Sequence, residues 1–225
     1  MNKVGVMVAV EIDAVLKKYG TPAREEVMGG FPVRVYVNDS YEMYVIHSGA
    51  GELSAAAATQ VLISLCSVDL IVNFGVVGGL TPEMAMSSSC IIERVVHYEM
   101  DTSAVDGYEV GRYGCYPDVF IPIDRKLVEK ALEIAPELKP VTCASGDKFV
   151  ADPAKKNALH EQFGADICEM EAAAVALTCD RCGVPCIFIK TVSDSITGGA
   201  EEFTKQLEIT SDICMSIADR IIQEF

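Results

Sequence analysis

Short apolar segments rich in β-branched residues alternate with helix-like segments along most of the chain. The segments predicted as strands lie at 4–10, 31–37, 42–49, 68–75, 90–100, 141–146, 165–170 and 185–194. The segments predicted as helices lie at 11–20, 51–66, 123–135, 152–164 and 171–183, and a final one begins near 201. This alternation is typical of α/β proteins, in which helices cover a largely buried sheet.

Local signals add detail to this pattern. The strands at 31–37 and 42–49 can form a hairpin through the turn-rich segment between them. Asp152 is expected to cap the helix that follows it, and Pro153 suits the first helical turn. No linker, repeat or low-complexity segment divides the sequence, so we expect a single domain over 1–225.

The charge and hydropathy of the chain exclude several classes of partner. The formal net charge is −15, with 33 acidic and 18 basic residues, and phosphate contacts depend mainly on Lys and Arg. No apolar run approaches the roughly 18 residues of a membrane span, and the segment 1–15 lacks a secretory leader. We therefore expect a cytoplasmic protein without nucleic-acid or membrane partners.

The nine cysteines and three histidines give no pattern that requires a metal. Cys179 and Cys182 have CxxC spacing, but the sequence supplies no second CxxC and no nearby histidine to complete a zinc set. His47, His97 and His160 lie far apart in the sequence. We expect the cysteines to be mostly packing residues and the protein to need no metal or cofactor.

Acidic residues and glycines recur where the predicted strands end. In open α/β sheets, sites gather beyond the carboxyl ends of strands. That rule selects five places, which are Glu11 with Asp13, Gly75–Gly79, 97–101, Phe149–Val150, and Glu169–Glu171 with Asp194.

Two of these places allow more than one interpretation. GVVGGL at 75–80 matches neither GxGxxG nor a phosphate loop, so it is either a tight strand–helix turn or a backbone cradle for a ligand. Asp194 follows a strongly apolar strand. Its carboxyl group is either a general acid in a desolvated site or the cap of the next turn.

The segment EMEA at 169–172 is more specific. Glu169 and Glu171 are two residues apart, so at a strand end both are expected to point to one side, with Met170 on the other. A close pair of carboxylates can accept hydrogen bonds from two vicinal hydroxyls. The alternative is an acid that caps the following helix.

Seven segments in order resemble the nucleoside phosphorylase superfamily, and most closely its 5′-methylthioadenosine/S-adenosylhomocysteine nucleosidases. They are VGVMVAVEIDAV, SGAGELSAAAAT, VNFGVVGGL, SGDKFV, EMEAAAVA, FIKTVSD and EEF, and they span nearly the whole chain. The resemblance implies a three-layer α/β sandwich with a central mixed, twisted sheet flanked by helices. It also implies hydrolysis of an N-glycosidic bond with release of adenine.

The resemblance assigns roles to individual residues. Asp194 corresponds to the acid that protonates N7 of the purine, helped by Ser193, and Glu171 to the ligand of the ribose hydroxyls. Asp13 aligns with the glutamate that usually activates water. The remaining implied substrate-binding residues are Ala9, Val76, Gly78, Phe149, Val150, Glu169, Met170, Lys190 and Phe203.

Three of these positions differ from the family pattern. Asp13 is one methylene shorter than the usual glutamate, Val76 stands where a small polar residue is common, and Lys190 replaces an arginine. Val76 and Asp13 leave open a nucleoside-binding protein without activity. A phosphorylase that uses phosphate in place of water is a separate alternative, which the lack of an arginine before Arg24 disfavours. The resemblance further implies a homodimer in which 105–117 reaches the partner's site.

Overall fold

The computed structural model describes residues 2–224, which fold around one large sheet. Its strands are β1 (Asn2–Val8), β2 (Arg24–Met28), β3 (Phe31–Val37), β4 (Tyr41–His47), β5 (Leu70–Gly79), β6 (Ser89–His97), β7 (Phe120–Ile121), β8 (Lys139–Ser145), β9 (Ile167–Glu169) and β10 (Cys186–Asp194). Its helices are α1 (Ile12–Tyr19), α2 (Glu52–Ser64), α3 (Ser103–Asp106), α4 (Arg125–Ile134), α5 (Pro153–Phe163), α6 (Ala172–Cys182) and α7 (Ala200–Glu224).

The sheet is mixed, and part of it closes on itself. Its order is β10-β6-β8-β9-β5-β1-β4-β3-β2, with β7 against β6. Strand β10 also pairs in parallel with β5, so β5, β9, β8, β6 and β10 form a ring. Strand β5 serves both parts, because its first half pairs with β1 and its last two residues pair with β9.

Helices cover both faces of the sheet, so the expected three-layer α/β architecture is confirmed. Helices α2 and α6 pack on one face around Ala58, Leu62 and Val175. Helices α1, α4 and α7 pack on the other face around Val15 and Ile221. The alanine-rich surfaces of α2 and α6 let these two helices lie close to each other and to the sheet.

Several local predictions are also confirmed. Strands β3 and β4 form the expected antiparallel hairpin. The carboxylate of Asp152 caps α5 by accepting the N–H of Ala154, and Pro153 occupies the first turn. All nine cysteines are free, and seven of them are buried.

Two segments differ from the sequence-based expectation. The segment 24–28 is an edge strand, although no strand was predicted there, because its exposed residues lack an apolar alternation. The segment Gly75–Gly79 is not a turn but the end of β5, where 75–78 pair with β10 across one irregularity and the last two glycines pair with β9. Its glycines permit close approach, since a Cβ on Gly79 would lie 2.3 Å from the carbonyl oxygen of Met84.

Within 2–224, no helix combines the length and the apolar character that crossing a membrane requires.

Candidate active site

A cavity of about 280 Å³ lies where β1, β5, β9 and β10 end. Its volume is near the lower end of the roughly 300–1,000 Å³ of small-molecule sites. Its walls are formed by Ala9, Val10, Glu11, Ala50, Val76, Val77, Gly78, Phe149, Cys168, Glu169, Met170, Glu171, Ser193, Asp194 and Phe203. A larger cleft of about 580 Å³ near Lys139 and His160 contains none of the predicted site residues.

The structure brings all but three of the predicted site residues to this one cavity. Val150 lies beside it, in a small recess that Phe149 and Asp194 also line. Lys190 is buried outside the cavity wall and donates a hydrogen bond to Glu169, which lines it. Asp13 is the third exception, because it is exposed on α1 and lies outside the cavity wall.

Glu11, rather than Asp13, lines the cavity. It is only 4% exposed, and its Oε1 accepts the N–H of Val76 at 2.8 Å. Its Oε2 accepts the N–H of Val10 at 3.0 Å. The helix starts after Glu11, so this carboxylate turns into the cavity while Asp13 faces solvent in the first turn. The placement of Asp13 in the site is therefore corrected in favour of Glu11.

Glycine at position 75 is required by this arrangement. A Cβ there would lie 2.6 Å from Glu11 Oε1. The side chain of Val76 offers no hydrogen-bond donor, but its backbone N–H serves as one. Glu11 therefore still has a hydrogen-bond donor at position 76, although the side chain there is apolar.

Glu169 and Glu171 have different partners, although both line the cavity. Strand β9 ends at Glu169, so the strand alternation expected for EMEA does not hold and Met170 also faces the cavity. Glu169 accepts a hydrogen bond from Lys190 at 3.1 Å and turns back to cap α6. Burial opposes the charge of Lys190, but the nearby carboxylates of Glu169, Glu171 and Glu11 raise its pKa overall.

Glu171, unlike Glu169, does not pair directly with the ammonium group of Lys190. Its Oε1 accepts the N–H of Gly51 at 2.9 Å. Burial and the charge of Glu169 raise the pKa of Glu171 to about 8, against the opposing charge of Lys190. This carboxyl group therefore binds its proton more tightly than an ordinary glutamate, and hydroxyl donors from a ligand would favour its ionised form.

The N-terminus of α6 is capped entirely by side chains. The N–H groups of Glu171 and Ala172 donate to the Glu169 carboxylate. The N–H of Ala173 donates to the Ser145 hydroxyl at 3.0 Å, and that of Ala174 donates to Glu52 at 2.6 Å. Residues from α2, β8 and β9 thus fix the helix that begins at the site.

Glu52 completes this capping network from the start of α2. Its Oε1 accepts the Ser145 hydroxyl at 2.6 Å. Burial, followed by the charge of Glu169, raises the pKa of Glu52 to about 7. The motifs around 52, 145 and 169 therefore meet at one helix end, which the sequence alone does not reveal.

Asp194 lies at the end of β10 and is bonded through both oxygens. Its Oδ1 is 3.2 Å from the Ser193 hydroxyl, and its Oδ2 accepts from Lys156 at 2.6 Å. Sequence reasoning missed Lys156, which is fully buried on α5. The sequence offered one indication of its burial. Lys156 is three residues before Leu159, the other buried residue of that helix, and this spacing places both on one helix face.

Aromatic residues form the outer side of the cavity. Phe149 and Phe203 are in edge contact, with ring centroids 5.3 Å apart, and Phe149 remains 44% exposed. His97 lies outside the cavity wall and pairs with the Tyr113 hydroxyl at 2.8 Å. Within the described part of the chain, no three His, Cys, Asp or Glu side chains are arranged to hold a metal ion.

The family model of the phosphorylase superfamily matches residues 3–223. The chain belongs to this superfamily. Among curated members, the chain is 37% identical over 160 residues to a 5′-methylthioadenosine/S-adenosylhomocysteine nucleosidase of Shewanella halifaxensis, covering 68% of this chain and 69% of that protein. It is 33% identical over 166 residues to an aminodeoxyfutalosine nucleosidase of Campylobacter jejuni, with 72% of each chain covered.

Solved structures of phosphorylase-superfamily nucleosidases share the whole fold. The 5′-methylthioadenosine/S-adenosylhomocysteine nucleosidase of Helicobacter pylori, solved in complex with a substituted pyrrolidin-3-ol, has a TM-score of 0.94 at 28% identity. That match covers 100% of this chain and 99% of the other. A futalosine hydrolase from the same organism has a TM-score of 0.93 at 28% identity, covering 100% and 98% of the two chains.

Proposed function

We propose that this protein hydrolyses the N-glycosidic bond of 5′-methylthioadenosine, S-adenosylhomocysteine or a closely related adenosine derivative and releases adenine. The observation that carries the proposal is one cavity lined by Asp194 and Glu171 together with Glu11 and two phenylalanines. The similarity to nucleosidases over most of the chain supports the same reaction.

In the proposed reaction, Asp194 donates a proton to N7 of the purine as the C1′–N9 bond breaks. The bonding electrons move into the purine, which leaves as neutral adenine. Glu171 accepts hydrogen bonds from the ribose hydroxyls, and its negative charge stabilises the cationic sugar. A water molecule then adds its oxygen to C1′.

Glu11 is the proposed base for that water. Each carboxylate oxygen accepts one backbone N–H, and a carboxylate has about four acceptor sites. Both oxygens therefore retain capacity to accept a hydrogen bond from water and then its proton. Lys190 contributes indirectly, because its pairing with Glu169 places positive charge below the sugar side of the cavity.

For the purine and the 5′ group we propose the apolar residues of the same cavity. Phe149 stacks on the base beside Gly78 and the backbone of Val150, and Ala9 and Val76 line the sugar side. Met170 and Phe203 contact the 5′ substituent. The edge contact between Phe149 and Phe203 supports adjacent positions for the base and the 5′ substituent.

A panel of nucleosides tests the proposal directly. Release of free base is followed for 5′-methylthioadenosine, S-adenosylhomocysteine, aminodeoxyfutalosine, adenosine and inosine, each with and without phosphate. We expect adenine release from at least one 5′-modified adenosine at a rate independent of phosphate. Phosphate-dependent formation of a sugar 1-phosphate would contradict hydrolysis and support the phosphorylase alternative.

We also propose a homodimer in which 105–117 contributes to the neighbouring site. Val105 is 91% exposed and Leu53, on α2 near the site, is 84% exposed, so both offer apolar surface to a second copy. Light scattering on the purified protein tests this, with Val105→Glu expected to shift the mass toward the monomer. A monomeric wild type would contradict it.

The proposed location is the cytoplasm. Nine free cysteines, seven of them buried, suit a reducing compartment better than an oxidising one. Fractionation of cells that express the protein tests the assignment, and recovery in a secreted or membrane fraction would contradict it.

A further inference from the structure

The ammonium group of Lys156 is fully buried next to the proposed acid. Its Nζ donates to Asp194 Oδ2 at 2.6 Å, to the carbonyl of Ser195 at 2.6 Å and to the carbonyl of Gly198 at 3.3 Å. Three acceptors match the three N–H donors of an ammonium group. Such complete pairing is what allows a lysine to stay charged in a protein interior.

The two oxygens of Asp194 therefore have unequal surroundings. Oδ2 faces the ammonium group, which disfavours a proton there. Oδ1 lies 3.2 Å from the Ser193 hydroxyl, and that hydroxyl is also 3.2 Å from the carbonyl of Val77. When Ser193 donates its single proton to Val77, its oxygen can accept a proton carried by Oδ1.

We propose that Lys156 is a positioning residue that holds Asp194 as a carboxylate through Oδ2. The other oxygen, Oδ1, is then free to take up the proton that is passed to purine N7. After that transfer, Lys156 stabilises the negative charge that returns to Asp194. This inference rests on the proposed nucleosidase function. In the step itself, the Oδ1–H bond breaks and its electron pair stays on Asp194. The N7–H bond forms, and the C1′–N9 electrons enter the purine.

The other ionisable groups around Asp194 do not supply this charge. Burial raises the pKa of the Cys168 thiol to about 12, so it is neutral, and Glu169 is paired with Lys190. Glu202 on α7 accepts the N–H and the hydroxyl of Ser195, and these bonds lower its pKa. Lys156 is thus the cation in contact with the acid.

Neutralising this lysine provides the first test. Lys156→Met keeps most of the side-chain volume and removes the charge, and Lys155→Met is the matched control because Lys155 is exposed on the same helix. We expect Lys156→Met to lower kcat about 10²-fold with KM little changed. Lys155→Met should match the wild type.

Combining Lys156→Met with Asp194→Asn distinguishes an electrostatic effect of Lys156 on Asp194 from a structural effect on the surrounding loop. If Lys156 acts through the Asp194 charge, Lys156→Met should add no further loss of kcat in the Asp194→Asn background. An equal loss in both backgrounds would assign Lys156 to holding the 195–198 loop and overturn the inference. So would a wild-type kcat in folded Lys156→Met.

A second measurement uses the wild type and does not depend on a foldable Lys156 variant. Calorimetry in two buffers with different ionisation enthalpies measures proton uptake when a carbocyclic adenosine analogue binds. This analogue is not hydrolysed during the titration, because its C–N bond is not a glycosidic bond. Its 7-deaza counterpart has the same hydroxyls but no N7 acceptor. We expect about one more proton to be taken up with the N7-containing analogue.

Equal proton uptake with the two analogues would overturn the inference, because Asp194 would then already carry its proton in the free protein. Failure of the proposed function looks different. It would appear as no base release by the wild type from any nucleoside of the panel, whatever the proton uptake on binding.

Discussion

Glu11 and Val76 are joined by a hydrogen bond of 2.8 Å from the backbone N–H of Val76 to the buried carboxylate of Glu11. This bond fixes the acid against the glycine-containing end of β5, where Gly75 leaves room for it. We therefore choose Glu11 as the proposed catalytic base from the backbone geometry around it and not from the alignment of acidic residues in the sequence.

The two candidate bases can be separated by substitution. Glu11→Gln should lower kcat by about 10²–10⁴-fold, the range for loss of general base catalysis. Asp13→Asn makes the same chemical change on the exposed face of α1 and should leave kcat near the wild-type value. A large loss in Asp13→Asn with little effect of Glu11→Gln would restore the sequence-based assignment.

Asp194→Asn should reduce adenine release by about 10²–10⁴-fold, because an amide cannot supply the proton to N7. The matched control is Asp39→Asn in an exposed loop position. Circular dichroism checks that both variants are folded. Similar turnover in Asp194→Asn and the wild type would remove Asp194 from the mechanism, and binding without turnover in either protein would favour the nucleoside-binding alternative.

Nucleoside affinity should depend on pH through Glu171. With its pKa raised to about 8, Glu171 is largely protonated below that pH and cannot accept two ribose hydrogen bonds. We therefore expect kcat/KM to rise as pH increases toward 8, until Asp194 or another group limits the rate.

The pH effect has an internal control in the ligand. Binding of adenine, which lacks the ribose, should not show the rise that Glu171 causes. Glu171→Gln should flatten that rise and lower kcat/KM. An unchanged pH profile in Glu171→Gln would show that a different group titrates.

Glu52 should make the fold less stable at alkaline pH. Its pKa is about 7 in the folded protein, above the roughly 4.3 of an exposed glutamate. The folded state therefore holds the proton more tightly, and this contribution to stability is lost as pH rises from about 4.3 through 7.

Thermal unfolding at pH 5 and pH 8 measures this effect. The Tm of Glu52→Gln minus the Tm of the wild type should be larger at pH 8 than at pH 5, because the amide does not ionise. Glu129→Gln, at an exposed position on α4, should show no such difference. A pH-independent effect of Glu52→Gln would indicate that only its hydrogen bonds matter.

The sequence predicted the α/β layers because periodicity reports which face of a segment is buried. It missed β2, whose Arg24, Glu25 and Glu26 are exposed and are held by backbone pairing with β3. It also ended the strand at Gly75 and left the glycines that follow as a turn or a ligand cradle, since glycine in a strand and glycine in a turn look alike without knowledge of the partner strand.

The same limit applies to the site. Asp194, Glu171 and Phe149 line the cavity as expected, because their motifs lie at or near the ends of predicted strands. The family resemblance selected Asp13 rather than Glu11, but the exact start of α1 decides which carboxylate turns inward, and the sequence does not show it. Lys156 was missed because the sequence shows a polar helix, and only the tertiary fold reveals its buried partner.

The capping of α6 has a consequence for which ligands can approach its N-terminus. A free helix N-terminus attracts phosphate through its unpaired N–H groups. Here the N–H groups of Ala172, Ala173 and Ala174 already donate to Glu169, Ser145 and Glu52. The carboxylates add negative charge where a phosphate would have to sit. A phosphate group should therefore find no binding site at the start of α6, although this helix begins at the cavity.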